Sequence, residues 1–350
     1  MKRIITVMIA VLFAGLLVAA YFALQARPQL PGSTSGQTAL QGLDSEDEGG
    51  MGDSPHPLSV AALRADSFPG SEIVIEQELN DGVNYKRYLS SYKSEGLKIY
   101  ALLTVPKAKA PEGGYPAIIF NHGYIPPAEY KTTEKYVAYT NAFSSNGYVL
   151  FRPDYRGHGN SEGEAVGGYG SNAYTIDVLN ALSSVALLDY VNAEKIGMWG
   201  HSMGGHITLR SMVVDERIKA GVIWAGVVGS YEDLLYNWRR STPPPSLSSS
   251  ARRWRQALID QYGEPSVNPA FWNSLSSTSY LSDISGPVQI HHGTNDTSVP
   301  VLFSEKLDSR LKEAGKDSEI FIYNGDDHNL SRNLSLALRR SVEFFDSVLK

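Results

Sequence analysis

The order of apolar and polar residues along the chain distinguishes two kinds of predicted strand. Three early segments alternate between apolar and polar side chains, as antiparallel strands with one solvent-exposed face do. Six later segments are short, continuous apolar runs, which are typical of strands buried on both faces of a parallel sheet. The alternating segments are residues 73–79, 85–92 and 97–105, and the continuous runs are residues 117–120, 148–151, 196–199, 220–224, 288–290 and 320–322.

Segments long enough to form helices lie between several of the continuous runs. They cover residues 132–145, 172–190, 206–214, 301–314 and 331–349. Strands that alternate with helices in this way form a parallel sheet with helices on both faces. The pattern therefore predicts an α/β fold, with a mostly parallel central sheet and antiparallel strands contributed by the N-terminal part.

A segment at about residues 232–281 interrupts the alternation between two predicted strands. It contains a run of prolines, a run of serines and two arginine-rich stretches. Because it lies between two predicted strands of the sheet, we expect it to form a mobile helical cap over the site. Its arginines could bind a substrate carboxylate or form a solvated helix face, and both interpretations stay open.

The N-terminal residues indicate export. Lys2 and Arg3 precede an uncharged apolar run at residues 4–24, which is long enough to cross a bilayer as a helix. Positive charge before such a run predicts that the rest of the chain is exported. Residues 1–26 are therefore predicted to be a signal peptide or a retained membrane anchor, and the protein is predicted to be extracytoplasmic, either anchored or secreted.

A polar segment follows the apolar run. Residues 27–58 are rich in proline, glycine, serine and glutamine, include an acidic stretch, and lack the apolar side chains that a core needs. They are predicted to be a disordered linker. Residues 59–350 remain as one domain of a size that suits a single α/β fold.

Composition narrows the chemistry. The net charge of −6 gives no reason to expect nucleic-acid binding. The chain has no cysteine, which excludes disulfides, thiol nucleophiles and cysteine-based metal sites. No carboxylate or further histidine stands at ligand spacing from the paired His291 and His292, so neither a metal nor a cofactor is predicted.

The strongest chemical signal is the sequence Gly-His-Ser-Met-Gly at residues 200–204. It lies between the apolar run at 196–199 and the predicted helix at 206–214, which is the context of the Gly-x-Ser-x-Gly nucleophile elbow. Glycines at such a strained turn allow neighbouring backbone to pass close to the serine, here Ser202. The N–H of Met203, at the start of the following helix, is a candidate oxyanion donor.

An acid and a base follow the serine at the ends of two later strands. Asp296 comes after the run at 288–290, and His328 comes after the run at 320–322. Functional residues of open α/β sheets gather beyond the carboxyl ends of the strands, so these two side chains are predicted to meet Ser202 there. His328 would take the proton of the serine, and Asp296 would hold the histidine tautomer.

The remaining candidates have smaller predicted roles. Tyr124, after the run at 117–120, is the second candidate oxyanion donor, through its N–H or alternatively its hydroxyl. Asp326 and Asp327 adjoin His328 and are predicted to shape its turn. The other histidines of the region are predicted to be structural, and these are His158, His201, His291 and His292.

These motifs resemble the α/β-hydrolases, and most closely the catalytic domain of the prolyl oligopeptidase family of serine peptidases, with its acylaminoacyl-peptidase and dipeptidyl-peptidase members. The resemblance covers about residues 97–349, and its most family-like parts are the doubled glycine after Ser202 and the segment 292–300. It implies the α/β-hydrolase fold and hydrolysis of a peptide bond. Three features differ from that family: there is no room for its usual β-propeller, Tyr124 stands where many members have a second glycine, and the cap is more typical of esterases.

Taken together, the residues and the resemblance predict an exported serine hydrolase with a Ser-His-Asp triad and an acyl-enzyme intermediate. Its substrate is predicted to be a short peptide or a small molecule. A serine peptidase that cleaves short peptides is the first hypothesis, and a carboxylesterase acting on small esters is the alternative. A catalytically inactive binding protein with the same fold is the second alternative, because a fold alone does not establish an activity.

Overall fold

The computed structural model of the protein describes residues 54–238 and 249–350. The predicted signal peptide or anchor at residues 1–26 and most of the predicted linker lie outside these residues, as does a part of the cap. Across the part that is described, no helix has the length and apolar composition needed to cross a bilayer.

One mixed sheet of nine strands forms the centre of the described structure. Its strands are β1 (Val74–Leu79), β2 (Tyr85–Ser94), β3 (Leu97–Pro106), β4 (Tyr115–Asn121), β5 (Val149–Pro153), β6 (Val191–His201), β7 (Ile218–Trp224), β8 (Val288–Gly293) and β9 (Ser318–Tyr323). They lie in the order β1-β2-β3-β5-β4-β6-β7-β8-β9. The pairs from β1 through β3 to β5 are antiparallel, and those from β5 through β4 to β9 are parallel.

Helices connect most of the strands. They are α1 (Val60–Ala65), α2 (Val137–Ser145), α3 (Ala173–Ala186), α4 (Met203–Met212), α5 (Tyr231–Tyr236), α6 (Ser249–Tyr262), α7 (Pro269–Leu275), α8 (Val301–Glu313) and α9 (Leu334–Leu349). Short 3₁₀ turns lie at Pro127–Glu129, Ser277–Ser279 and Leu281–Asp283. The predicted fold class, a mostly parallel sheet with antiparallel N-terminal strands and helices on both faces, is confirmed.

The continuous apolar runs of the sequence fill two cores at once, because alternate side chains of a strand point to opposite faces of the sheet. In β4, Ala117 and Ile119 join a cluster with residues of α3, α4 and α8. Ile118 and Phe120 join a second cluster with residues of α2 and α9. All four side chains are fully buried, so a polar residue at any of these four positions would need a buried hydrogen-bond partner.

The helix predicted at 132–145 is shorter in the structure, where it begins at Val137. The two preceding residues, Lys135 and Tyr136, have φ angles of 55° and 50°, which a right-handed helix does not contain. Arg152, almost fully buried, donates to three carbonyl oxygens of this loop and thereby holds it in place. A contact with a distant residue has therefore overridden the local helical pattern.

The insertion between β7 and β8 is helical, as predicted for the cap, and contains α5, α6 and α7. Buried Arg210 of α4 donates to the carbonyl oxygen of Leu275, at the end of α7, at 2.7 Å and also to that of Leu58. The Tyr231 hydroxyl donates to the Tyr169 carbonyl oxygen at 2.7 Å. Leu58 belongs to the predicted linker, yet it is buried here, so the packed part of the chain begins slightly earlier than predicted.

Candidate active site

Ser202 lies at a sharp turn between β6 and α4. Its φ of 56° and ψ of −115° fall in a region that residues other than glycine rarely adopt. Its N–H donates to the Trp224 carbonyl oxygen at 2.9 Å, and its own carbonyl oxygen accepts from Gly205 and Val227, both at 3.0 Å. These bonds hold the strained backbone of the predicted elbow.

Glycines flank the elbow because other backbone comes too close for a side chain. A Cβ on Gly200 would lie 2.2 Å from the Gly204 carbonyl oxygen, and a Cβ on Gly204 would lie 1.9 Å from that of Asn121. Helix α4 starts at Met203, directly after the serine and earlier than the predicted 206–214. As the first helical residue, Met203 has an N–H with no acceptor inside the helix.

Asp296 and His328 meet from the loops that follow β8 and β9. His328 Nδ1 lies 2.6 Å from Asp296 Oδ2. A carboxylate only accepts hydrogen bonds, so Nδ1 carries the proton, and in the neutral ring Nε2 is the nitrogen that can act as a base. The Asp296 side chain is fully buried, whereas 19% of the His328 side chain is exposed.

Four donors surround the carboxylate of Asp296. The N–H groups of Ser298 and Val299 donate to Oδ1 at 2.7 and 2.9 Å, and Oδ2 accepts from His328 and from His292 Nε2, the latter at 3.0 Å. Burial is the largest influence and raises the pKa of Asp296, but the hydrogen bonds outweigh it and hold that pKa below its usual range. The buried carboxylate is therefore ionised at neutral pH.

The contact of His292 with Asp296 is the part of the site that the sequence analysis missed. His292 is fully buried, and its Nδ1 lies 2.7 Å from Ser304 Oγ in α8. Strand alternation was the available signal, since it places neighbouring histidines on opposite faces of β8. His291 accordingly bonds the Tyr323 hydroxyl at 2.9 Å on the other face.

Ser202 and His328 line one cavity of about 400 Å³, together with Gly123, Tyr124 and Tyr136. No hydrogen bond joins the Ser202 hydroxyl to His328, although both side chains are among the described residues. Such contacts are often long without substrate and tighten when substrate binds. The structure therefore brings the predicted serine, base and acid to one edge of the sheet.

Tyr124 lies in the loop after β4, and 38% of the residue is exposed. The N–H of the preceding Gly123 is already used, because it donates to the Tyr136 hydroxyl at 3.0 Å. Within residues 54–238 and 249–350, no acceptor takes the N–H of Tyr124. The two predicted oxyanion donors, Tyr124 and Met203, thus both have N–H groups available to a ligand.

Asp326 and Asp327 shape the loop that carries His328, as predicted. Asp326 accepts from three backbone N–H groups of its own loop, and Asp327 accepts from two. His158 likewise bonds the Arg156 carbonyl oxygen within its loop. Among the described residues, no group of three or more histidine, aspartate or glutamate side chains could hold a metal ion.

The arginines of the cap are described only in part. Arg253 is exposed, and the Arg255 guanidinium lies over the rings of Trp238 and Trp254, at 5.9 and 5.5 Å from their centroids. Neither arginine lines the cavity at Ser202. Arg239, Arg240 and Arg252 lie outside the described side chains, so binding of a substrate carboxylate by the cap stays a prediction.

Comparison with known proteins identifies the family. The sequence profile of the prolyl oligopeptidase family matches residues 135–350, which is more than half of the chain. The chain belongs to the prolyl oligopeptidase family. The matched residues include the elbow at Ser202 and the insertion between β7 and β8.

Two curated relatives of this family member are uncharacterized peptidases of Bacillus subtilis (strain 168). YtmA is 26% identical over 240 residues, which are 67% of this chain and 83% of YtmA. YuxL is 26% identical over 222 residues, which are 63% of this chain but 30% of YuxL. The chain therefore corresponds to most of the first relative and to less than a third of the second.

Solved structures show the same fold. An acylaminoacyl peptidase of Pyrococcus horikoshii has a TM-score of 0.60 and 25% identity, over 76% of this chain and 42% of that chain. An acetyl xylan esterase from Paenibacillus sp. R4 has a TM-score of 0.63 and 17% identity, over 83% of this chain and 92% of that chain. The protein is a serine hydrolase of the prolyl oligopeptidase family, a peptidase or an esterase, and the inactive alternative has no support.

Proposed function

We propose that this family member is an exported serine hydrolase that cleaves short peptides through an acyl-enzyme, with Ser202, His328 and Asp296 as its catalytic triad. One observation carries the proposal. A strained elbow serine and a histidine line the same cavity, and the histidine is bonded at 2.6 Å to a buried, ionised aspartate.

The proposed reaction has two halves. The Ser202 oxygen attacks the substrate carbonyl carbon while His328 Nε2 takes the hydroxyl proton, and the N–H groups of Met203 and Tyr124 bind the developing oxyanion. His328 then gives the proton to the leaving amine, the C–N bond breaks, and the acyl group stays on Ser202. Water, activated by His328, attacks the acyl-enzyme and releases the acid.

A peptide substrate is favoured by the family and by the relatives that are described as peptidases. An ester is the second candidate, and the organisation of the chain favours it. The helical cap between β7 and β8 is more typical of esterases, and the acetyl xylan esterase is matched over 92% of its length, against 42% for the acylaminoacyl peptidase.

Two experiments test this proposal. A fluorophosphonate probe should label the wild-type protein, and Ser202→Ala should abolish the labelling; a variant that is still labelled refutes Ser202 as the nucleophile. A panel of aminoacyl anilides and N-acyl peptides against p-nitrophenyl esters then separates the substrates. If the protein hydrolyses only the short esters, the esterase hypothesis replaces the peptidase hypothesis.

We also propose that the protein acts outside the cytoplasm. The support is the charged start followed by the apolar run at residues 4–24. In intact cells, added protease should degrade a C-terminally tagged full-length chain, while a cytoplasmic marker survives. Protection of the tagged chain until the cells are lysed would contradict export.

A further inference from the structure

Three hydrogen bonds join the loop after β4 to the loop after β9. The Gly123 N–H donates to the Tyr136 hydroxyl oxygen at 3.0 Å, and that hydroxyl lies 2.8 Å from His201 Nδ1. His201 Nε2 lies 3.0 Å from the backbone carbonyl oxygen of His328. His201 directly precedes Ser202, so the chain of bonds passes through the elbow.

The direction of each bond follows from the chemistry of its partners. The His328 carbonyl oxygen can only accept, so His201 Nε2 carries a proton. Burial, with the nearby His328, lowers the pKa of His201 to about 3, so the ring is neutral and its Nδ1 accepts from the Tyr136 hydroxyl. The Tyr136 oxygen accepts from Gly123 in turn. Every donor in this chain of hydrogen bonds therefore has an acceptor.

Close packing restricts the movement of the residues that form these hydrogen bonds. His201 is buried, and its ring centroid lies 4.6 Å from that of His328. The Tyr136 ring packs edge-on against Phe120 with a centroid distance of 5.3 Å. A Cβ on Gly123 would lie 2.9 Å from the Tyr136 hydroxyl oxygen, so the close approach requires glycine.

The backbone at Tyr136 adds an independent observation. Its φ of 50° is unfavourable for a tyrosine and follows a second positive φ at Lys135. Arg152, through its bond to the Lys135 carbonyl oxygen at 2.9 Å, helps to hold this conformation. Residues with such strained backbone conformations are common at functional sites, where contacts with the surrounding structure hold them in place.

We infer that Tyr136 and His201 are positioning residues that set the distance between the oxyanion donor Tyr124 and the base His328. The inference rests on the proposed function. Holding the N–H of Gly123 orients the next peptide group, which contains the Tyr124 N–H. Holding the His328 carbonyl oxygen fixes the backbone from which the base projects. Both groups must meet the same transition state, where a misplacement of about 1 Å costs on the order of 100-fold in rate.

Breaking this chain of hydrogen bonds should therefore lower kcat and leave KM nearly unchanged. Tyr136→Phe deletes the hydroxyl but keeps the ring, and His201→Leu deletes both ring nitrogens. We expect kcat to fall about 10- to 100-fold in each, with KM within about twofold of wild type. Because the two residues belong to the same chain of hydrogen bonds, the kcat of the double variant should be only slightly lower than that of the worse single variant.

Two further variants distinguish positioning from general stability. His201→Gln keeps one acceptor and one donor on a planar group, so it should recover most of the kcat that His201→Leu loses. Tyr148→Phe is the matched control, because the Tyr148 hydroxyl is also in a buried residue and donates to Asp346 at 2.7 Å, away from the cavity. It should keep wild-type kcat, and it should lower the melting temperature less than Tyr136→Phe does, because the partly exposed Asp346 keeps its ion pair with Lys350.

The inference is overturned if Tyr136→Phe keeps kcat within about twofold, if the two losses multiply in the double variant, or if Tyr148→Phe loses as much kcat. Should Tyr136→Phe fail to fold, equal kcat values for His201→Leu and His201→Gln overturn it. Ser202→Ala separates the two proposals. Activity in Ser202→Ala refutes the proposed function, whereas an inactive Ser202→Ala beside a fully active Tyr136→Phe refutes only the positioning role.

Discussion

Two buried aspartates follow parallel strands at the same edge of the sheet, Asp154 directly after β5 and Asp296 in the loop after β8. Burial raises the pKa of both carboxyls and is the largest influence on each. The outcome differs, however. The pKa of Asp154 rises to about 7, whereas that of Asp296 is held below its usual range.

The number of donors explains this difference. Asp296 accepts four hydrogen bonds, but Asp154 accepts one in good geometry, from Thr132 Oγ1 to Oδ2 at 2.5 Å. Asp154 Oδ1 has no partner among the residues described, although the Tyr130 hydroxyl lies nearby. Burial thus neutralises a carboxyl unless N–H and O–H groups replace the lost water. Asp296 has such groups: two N–H groups of its own loop, His292 of β8 and His328 of the loop after β9.

The largest effect is expected for Asp296→Asn. An amide nitrogen in place of Oδ2 would face the Nδ1–H of His328, and an amide oxygen there would bind it more weakly than a carboxylate does. The histidine would then lose either its tautomer or the stabilisation of its charged form. We expect kcat on the preferred substrate to fall by about 10⁴-fold, as measured by steady-state kinetics.

Asp154→Asn is the matched control for that change, since it removes an equally buried carboxyl at the same edge. It should keep most of the wild-type kcat. If Asp296→Asn retains more than about a tenth of kcat, Asp296 is not the acid of the triad.

Asp154→Asn should have the second-largest effect, on stability. The folded-state pKa of Asp154, about 7, lies above the unfolded value of about 4. Between these values the folded protein holds a proton that the unfolded chain releases, so the free energy of unfolding falls as the pH rises through this window. Removing the carboxyl should therefore stabilise the protein at pH 8 by up to about 4 kcal/mol, and by little at pH 4.

Denaturant unfolding at several pH values measures this difference between the two proteins. Asp296→Asn should change stability in the opposite direction. The folded pKa of Asp296 is depressed, so its contribution is present above about pH 4 and is lost as the pH falls below it. A stability difference between Asp154→Asn and wild type that does not change with pH would contradict a raised pKa at Asp154.

Local patterns in the sequence predicted most of the fold. The apolar run before Asp296 marked β8, the run before His328 marked β9, and the Gly-x-Ser-x-Gly spacing marked the turn at Ser202. In each case the signal lies within a few residues of the feature. The catalytic roles of these residues stay a prediction, while the sheet that brings them to one edge is confirmed.

Several contacts that the sequence did not predict join residues that are distant along the chain. Arg152, on a neighbouring strand, holds the residues before Val137 out of the predicted helix. The loop formed in this way brings the Tyr136 hydroxyl to His201. The charge state of Asp296 has a mixed origin, since three of its four donors lie within four residues of it and the fourth, His328, is distant. The donor to Asp154, Thr132, is 22 residues away.

His292→Leu should have a smaller effect than the two asparagine substitutions, because it removes one of the four donors to Asp296. The carboxylate would keep its charge and its bond to His328 but lose a contact that fixes the position of Oδ2. We expect kcat to fall about tenfold with little change in KM. The pKa of Asp296 should rise, since the His292 bond lowers it, and acid-induced loss of stability should then begin at a higher pH.

His291→Leu provides the comparison, since it removes a neighbouring buried histidine whose bonds, to Gln289 at 2.7 Å and to the Tyr323 hydroxyl, lie on the opposite face of β8. Each leucine leaves one buried polar group without its partner, the Ser304 hydroxyl in His292→Leu and the Gln289 side-chain oxygen in His291→Leu. At a cost of about 1–3 kcal/mol each, the two variants should lose similar stability. Only His292→Leu should lose kcat, because only that side chain touches Asp296. Equal kcat values in the two variants would mean that two backbone amides and His328 are enough to hold the carboxylate in place.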